Sequence, residues 1–142
     1  MMYKDRNTIY PIVFQSLFDL YRTQVQAIWT TDELDFVPDI DHLNKMNEQE
    51  RHLVLQILAF FAQSDSIVNE NLALRFMQDV NIPEMLQFYS IQIGIEAIHA
   101  ETYAEMINTY IPDDQEKWKL FNAVNNFPTI KKKADWMKRW IH

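Results

Sequence analysis

Ile12, Phe14, Leu17, Leu20, Tyr21 and Val25 recur at the spacing of one helix face and predict a first helix from about Pro11 to Ile28. Thr30 and Glu33 then stand at capping-box spacing. After Pro38 a polar connection, Asp39 to Met46, leads to Asn47, which has Glu50 three residues on. That pair marks the N-cap of a long helix reaching about Val80. Its middle, Leu53 to Phe61, is apolar on nearly every side, the pattern of an element surrounded by other helices. The short Asn81-Ile82 link, followed by Pro83 in a first-turn position, predicts an antiparallel hairpin whose second arm runs to about Tyr110, before Pro112. A fourth helix from about Asp113 to Phe127 and a fifth from about Pro128 to Trp140 complete an all-α helix bundle.

Composition narrows the chemistry more than the fold. A chain of 142 residues forms one domain at most, and with 48% hydrophobic and 13% aromatic residues it must bury a core. One Gly and five Pro are too few for the turns of a β-sandwich or for a phosphate loop. The absence of Cys excludes disulfides, thiolate metal sites and Cys nucleophiles, so any metal takes nitrogen and oxygen ligands. A net charge of −7 argues against a nucleic-acid partner, and the basic run Lys131 to Lys133 reads as a solvated helix face. No apolar run approaches the ~20 residues of a membrane span. Met1 to Arg6 are too polar for a signal peptide, so a cytoplasmic location without a membrane partner is expected.

Two stripes carry an anomaly. On the long helix Val54, Leu58, Phe61, Asp65, Val68, Leu72 and Phe76 share a face, so a carboxylate interrupts an apolar stripe and is expected to be buried. On the next helix Tyr89, Ile93, Glu96, His99, Tyr103, Met106 and Tyr110 repeat the pattern, with Glu96 and His99 three residues apart. If the hairpin turns near Asn81, Asp65 and Glu96 both lie roughly 23 Å from the turn at 1.5 Å per residue, and end up level. Burying two ions without a cation costs several kcal/mol, and no Lys or Arg shares these stripes. A divalent metal offsets both charges and takes the neutral His99 imidazole as a third ligand. A hydrogen-bonded Asp-Glu-His cluster that fixes helix register is the alternative. Ferritin-like dinuclear sites use one Glu from each of two helices and a Glu-x-x-His from each of two others. The sequence offers half of that set, with no second Glu-x-x-His. Glu70, Glu84, Glu101 and Glu105 read as ordinary helix-surface or cap residues.

At these residues the sequence resembles the small, radical-carrying subunit of class I ribonucleotide reductase, in its eukaryotic-type branch. The likeness lies in the runs Phe60 to Leu72 around Asp65, Glu96 to Tyr103, Trp29 to Asp35 and Lys131 to Trp136, in order and at family spacing. It implies a ferritin-like bundle in which Asp65, Glu96 and His99 bind the first iron of a dinuclear centre, with Glu96 able to bridge to the second. It further implies that Tyr103 is the radical site, formed with O2, and that Trp29 takes part in electron transfer to the large subunit, where nucleotides are reduced for deoxyribonucleotide synthesis. Mn is the alternative metal, since both suit hard oxygen ligands. The family's further pair of core helices, with another carboxylate and a second Glu-x-x-His, has no counterpart here, nor does its tail that docks on the large subunit. The aspartate that links its iron-ligating histidine to the tryptophan is missing as well, and Asp135 is not that residue.

Residues 1–142 are therefore expected to form a single partial ferritin-like domain, the N-terminal half of the family's catalytic domain. Three assemblies follow. In the first, a split or truncated half pairs through exposed core faces with a complementary chain carrying the second Glu-x-x-His. In the second, a homodimer completes a dinuclear metal or oxidase site by two-fold symmetry. In the third, the chain is an inactive helical interaction fragment.

Overall fold

The computed structural model describes residues 6–141, and among them the regular structure is helical throughout. In chain order the elements are α1 (Gln15–Gln26), a 3-10 turn (Thr31–Glu33), α2 (Asp39–Lys45), α3 (Glu48–Asn71), a π-helical stretch (Leu72–Phe76), α4 (Met77–Asp79), α5 (Pro83–Tyr110), α6 (Asp114–Phe121), α7 (Ala123–Asn126) and α8 (Pro128–Ile141). No helix among them is long and apolar enough to cross a membrane.

The long hairpin forms as its caps dictate. The Asn47 side chain accepts the Glu50 N–H at 2.9 Å, and Glu50 returns an oxygen to the Asn47 N–H at 2.9 Å. Pro83 opens α5, where its missing N–H costs nothing. α3 and α5 then pack side by side as the spine of the molecule.

The main core lies at the end of the hairpin away from its turn. There Leu55, Leu58 and Ala59 of α3 meet Ile107 and Tyr110 of α5, closed over by residues of α2, α6, α7 and α8. Ile67 packs with Ala134 and Ile141 in a smaller cluster under α8.

Four expectations are corrected. The first helix is shorter than Pro11 to Ile28, because the backbone N–H groups of Val13 and Phe14 turn instead to a side chain of α5, described below. The polar connection after Pro38 coils into α2, tied to α5 by the Tyr110 hydroxyl, which donates to Asp39 at 2.8 Å. The fourth helix breaks at Asn122, whose ψ of 35° leaves the helical range. The stripe on α3 fails beyond Leu72, since the π-helical stretch widens the turn and rotates later residues off the face. Phe76 is accordingly 42% exposed and rests on Tyr89.

The middle of α3 is also not enclosed. Leu53 and Ile57 are 60% and 44% exposed, because they line an open groove beside Thr129, Ile130 and Lys133 of α8. The basic run behaves as expected of a solvated face: Lys131 pairs with Asp135, and Lys133 lies 4.7 Å from the Phe60 ring centroid.

Candidate metal centre

Asp65 on α3 and Glu96 and His99 on α5 face one another across the hairpin, and one ligand atom from each comes within 4.8 Å of the others. Level placement follows from the two helices leaving a common turn at equal rise per residue. The Glu96 carboxylate lies 3.5 Å from His99 Nδ1. Among the described residues, neither Asp65 nor Glu96 pairs with Lys or Arg.

Full burial of Asp65 is not found. It is half-buried, and the Glu96 and His99 side chains are 19% and 35% exposed, because the cluster sits where the core gives way to the less covered half of the hairpin. Burial nonetheless raises the Asp65 carboxyl above its ordinary range, and the Glu96 charge adds to this. His99 and the Ser64 hydroxyl act in the opposite sense. Two carboxylates that repel, with an imidazole beside them and no fixed cation, are a donor set that a divalent ion would satisfy.

Tyr103 lies one turn beyond His99, half-buried, with its ring stacked on Phe61 at 5.3 Å between centroids and 25° between planes. Its phenol is raised by burial, then by the charges of Asp65 and Glu96, so it stays protonated at neutral pH. Trp29 follows α1 and stacks on His99 at 5.7 Å and 29°. Next to it Thr31 lies 2.9 Å, hydroxyl to hydroxyl, from the buried Thr102 of α5. Tyr110 is the sealed tyrosine of this face: burial and its bond to Asp39 raise its phenol well beyond the ordinary value.

Glu84 reads in the sequence as a first-turn surface carboxylate, and this is corrected. It is fully buried, paired with Arg6 at 2.6 Å and bonded by the Val13 N–H at 2.9 Å. Burial alone would raise its carboxyl, but these donors bring it down to about 2. No local signal identifies it, since its partners lie about seventy positions away in the chain.

A family model described as ribonucleotide reductase, small chain, matches residues 6–142. The chain belongs to that family. It is 49% identical over 140 residues to the ribonucleoside-diphosphate reductase small subunit of Dictyostelium discoideum, covering 98% of this chain and 41% of that protein. It is 45% identical over 138 residues to the Plasmodium falciparum small subunit, covering 97% and 43%. The chain thus spans about two fifths of the length of these relatives.

Among solved structures, the ribonucleotide reductase Rnr4 homodimer of Saccharomyces cerevisiae superimposes with a TM-score of 0.78 at 27% identity, covering 96% of this chain and 43% of that one. The dimanganese(II)-NrdF of Streptococcus sanguinis has the same fold, with a TM-score of 0.85 at 17% identity over 96% of this chain and 48% of that one. The small-chain fold is therefore ferritin-like, as expected, with the α3–α5 hairpin at its centre.

Proposed function

We propose that this chain supplies one half of the dinuclear metal centre of a class I ribonucleotide reductase small subunit, together with its radical tyrosine. The observation that carries this is the convergence of Asp65, Glu96 and His99 ligand atoms to within 4.8 Å. Asp65, Glu96 and His99 would hold one metal, iron or manganese, and Glu96 would also serve a second. The remaining ligands would come from a polypeptide carrying the second Glu-x-x-His. Leu53, Ile57 and Phe61, each more than a third exposed, offer that partner an apolar face.

When bound, a redox-active metal pair supplies, with O2, the oxidising equivalent that takes one electron and one proton from a phenol. Tyr103 is suited to give them up together: its phenol is held protonated, so loss of the electron is coupled to loss of the hydroxyl proton. Phe61, stacked on the ring, shields one face of it from water. Trp29, in contact with the His99 ring, would connect the centre to the reductase large subunit, the site of deoxyribonucleotide formation.

The test is anaerobic Fe(II) loading followed by O2, with metal counted per chain and paramagnetic resonance recorded, alone and with a segment bearing the second Glu-x-x-His. A tyrosyl signal that needs the added segment and disappears in Tyr103→Phe is expected. A signal from the chain alone would instead favour a symmetric homodimer. An iron-loaded complex with no signal, or with one that survives Tyr103→Phe, would refute the assignment.

A further inference from the structure

Helix α1 contains no buried residue, yet it leads directly to Trp29, the side chain stacked on His99. Twelve residues form it, a length at which an isolated helix is marginal in water. Leu17, Tyr21 and Val25 are only half-buried. Along its length α1 rests on α5 through these half-buried side chains, while its hydrogen-bonded and ring-stacked anchors lie at its two ends.

At the first end the anchor is Glu84 in the opening turn of α5. Its Oε1 accepts the N–H groups of Val13 at 2.9 Å and Phe14 at 3.4 Å, and its Oε2 takes Arg6 Nη2 at 2.6 Å. Arg6 Nη1 bonds the carbonyls of Ile9 and Pro11, so one guanidinium folds the entering segment around itself. The pair is sheltered, with side-chain exposures of 9% for Arg6 and 0% for Glu84. At the other end Trp29 lies on His99, and Thr31 meets Thr102.

The two anchors are in register. Glu84 and His99 are fifteen helical residues apart, about 23 Å at 1.5 Å per residue. Val13 and Trp29 span a similar length, through the twelve residues of α1 and a short extension at each end. Helices α1 and α5 thus run in the same direction, and fixing Val13 at Glu84 sets how far along α5 Trp29 falls.

We propose that Arg6 and Glu84 are positioning residues: a buried ion-pair latch that holds α1 in register on α5 and thereby seats Trp29 on His99. That this placement serves electron transfer rests on the role proposed above for Trp29; the placement itself does not depend on a metal. Neither residue touches the candidate ligands. Releasing the latch leaves one buried charge without its partner, which the chain relieves by letting the arm lift rather than by opening the core.

The test uses the metal-free chain with Trp118, Trp136 and Trp140 changed to Phe, all three being more than 60% exposed, so that indole emission, excited beyond the tyrosine band, comes from Trp29 alone. Acrylamide quenching reads the Trp29 stack, and amide exchange followed by mass spectrometry reads α1 against the core of α3 and α5. Glu84→Gln and Arg6→Gln are each expected to raise the Trp29 quenching constant about two-fold or more and to speed exchange in residues 15–29 about ten-fold, with exchange around Leu58 and Ile107 unchanged.

Unmoved quenching and exchange in both variants would overturn the latch and leave the metal assignment standing. If Glu84→Gln opens the core, Arg6→Gln decides. Core opening in both would show a general stabilising pair, and would also overturn the proposal. Absence of metal binding or of a radical would defeat the proposed function without altering either readout.

Discussion

Asp65→Asn separates a metal site from a register-fixing polar cluster, because the two predict opposite signs for the stability of the metal-free chain. The Asp65 and Glu96 ligand atoms lie within 4.8 Å of each other, and at that outer limit two carboxylates repel by ~3.5 kcal/mol at an effective dielectric of about 20 and by ~1 kcal/mol in bulk water. The cluster is half-open, so screening places the figure near the lower value. His99 offsets part of it. Replacing the charge with a neutral amide of the same shape should thus stabilise the metal-free chain by ~0.5–1 kcal/mol.

The assay is urea unfolding at pH 7 after metal removal, with Mn(II) binding measured on the same samples. A raised midpoint at constant slope, together with at least a tenfold loss of Mn(II) affinity, is expected. The pH dependence has a defined sign. Asp65 is raised in the folded state, so its unfavourable contribution is present at neutral pH and is relieved as pH falls through its folded pKa; Asp65→Asn should remove that gain. A destabilisation of ~1 kcal/mol or more by Asp65→Asn, or unchanged Mn(II) affinity, would refute the metal assignment and restore the structural cluster.

Glu84 titrates with the opposite sign: lowered to about 2, it stabilises the fold above its unfolded pKa, and this contribution should fade from about pH 4.5 down to about 2, seen as falling urea midpoints that Glu84→Gln no longer shows. Ile107→Ala, at a fully buried position of the main core, should cost ~2–5 kcal/mol in the same unfolding assay. Tyr110→Phe should cost ~1–2 kcal/mol by leaving Asp39 without its donor, and titration of the native chain followed at the tyrosinate absorbance should show Tyr110 remaining un-ionised until the fold opens.

Periodicity and caps made much of the framework legible. The Asn47–Glu50 box and Pro83 are local signals, and they fix where the hairpin's arms begin regardless of what packs on them. Equal rise along two arms from a common turn is enough to predict that Asp65 and Glu96 are level, and i,i+3 spacing puts His99 on the same face. Burial was less legible, since it depends on which helices cover a face. Leu53 and Ile57 have the sequence pattern of enclosed residues but line an open groove beside α8, and Asp65 is half-open where the core gives way.

Pairing between the N-terminal segment and the hairpin was not legible from spacing. Glu84 looks like any acidic residue in a first turn, and only the fold brings Arg6 and the Val13 N–H to it from the far end of the chain. The break at Asn122, the coiling of Asp39–Lys45 and the π-helical stretch at Leu72–Phe76 are likewise tertiary outcomes, in which packing outweighs small local preferences. The sequence by itself determined the two arms of the hairpin and the three ligand candidates on it, because these depend on caps and spacing along single elements. Tertiary structure decided how deeply those ligands sit, what Trp29 and Tyr103 stack against and what anchors α1, because each depends on contacts between residues distant in sequence.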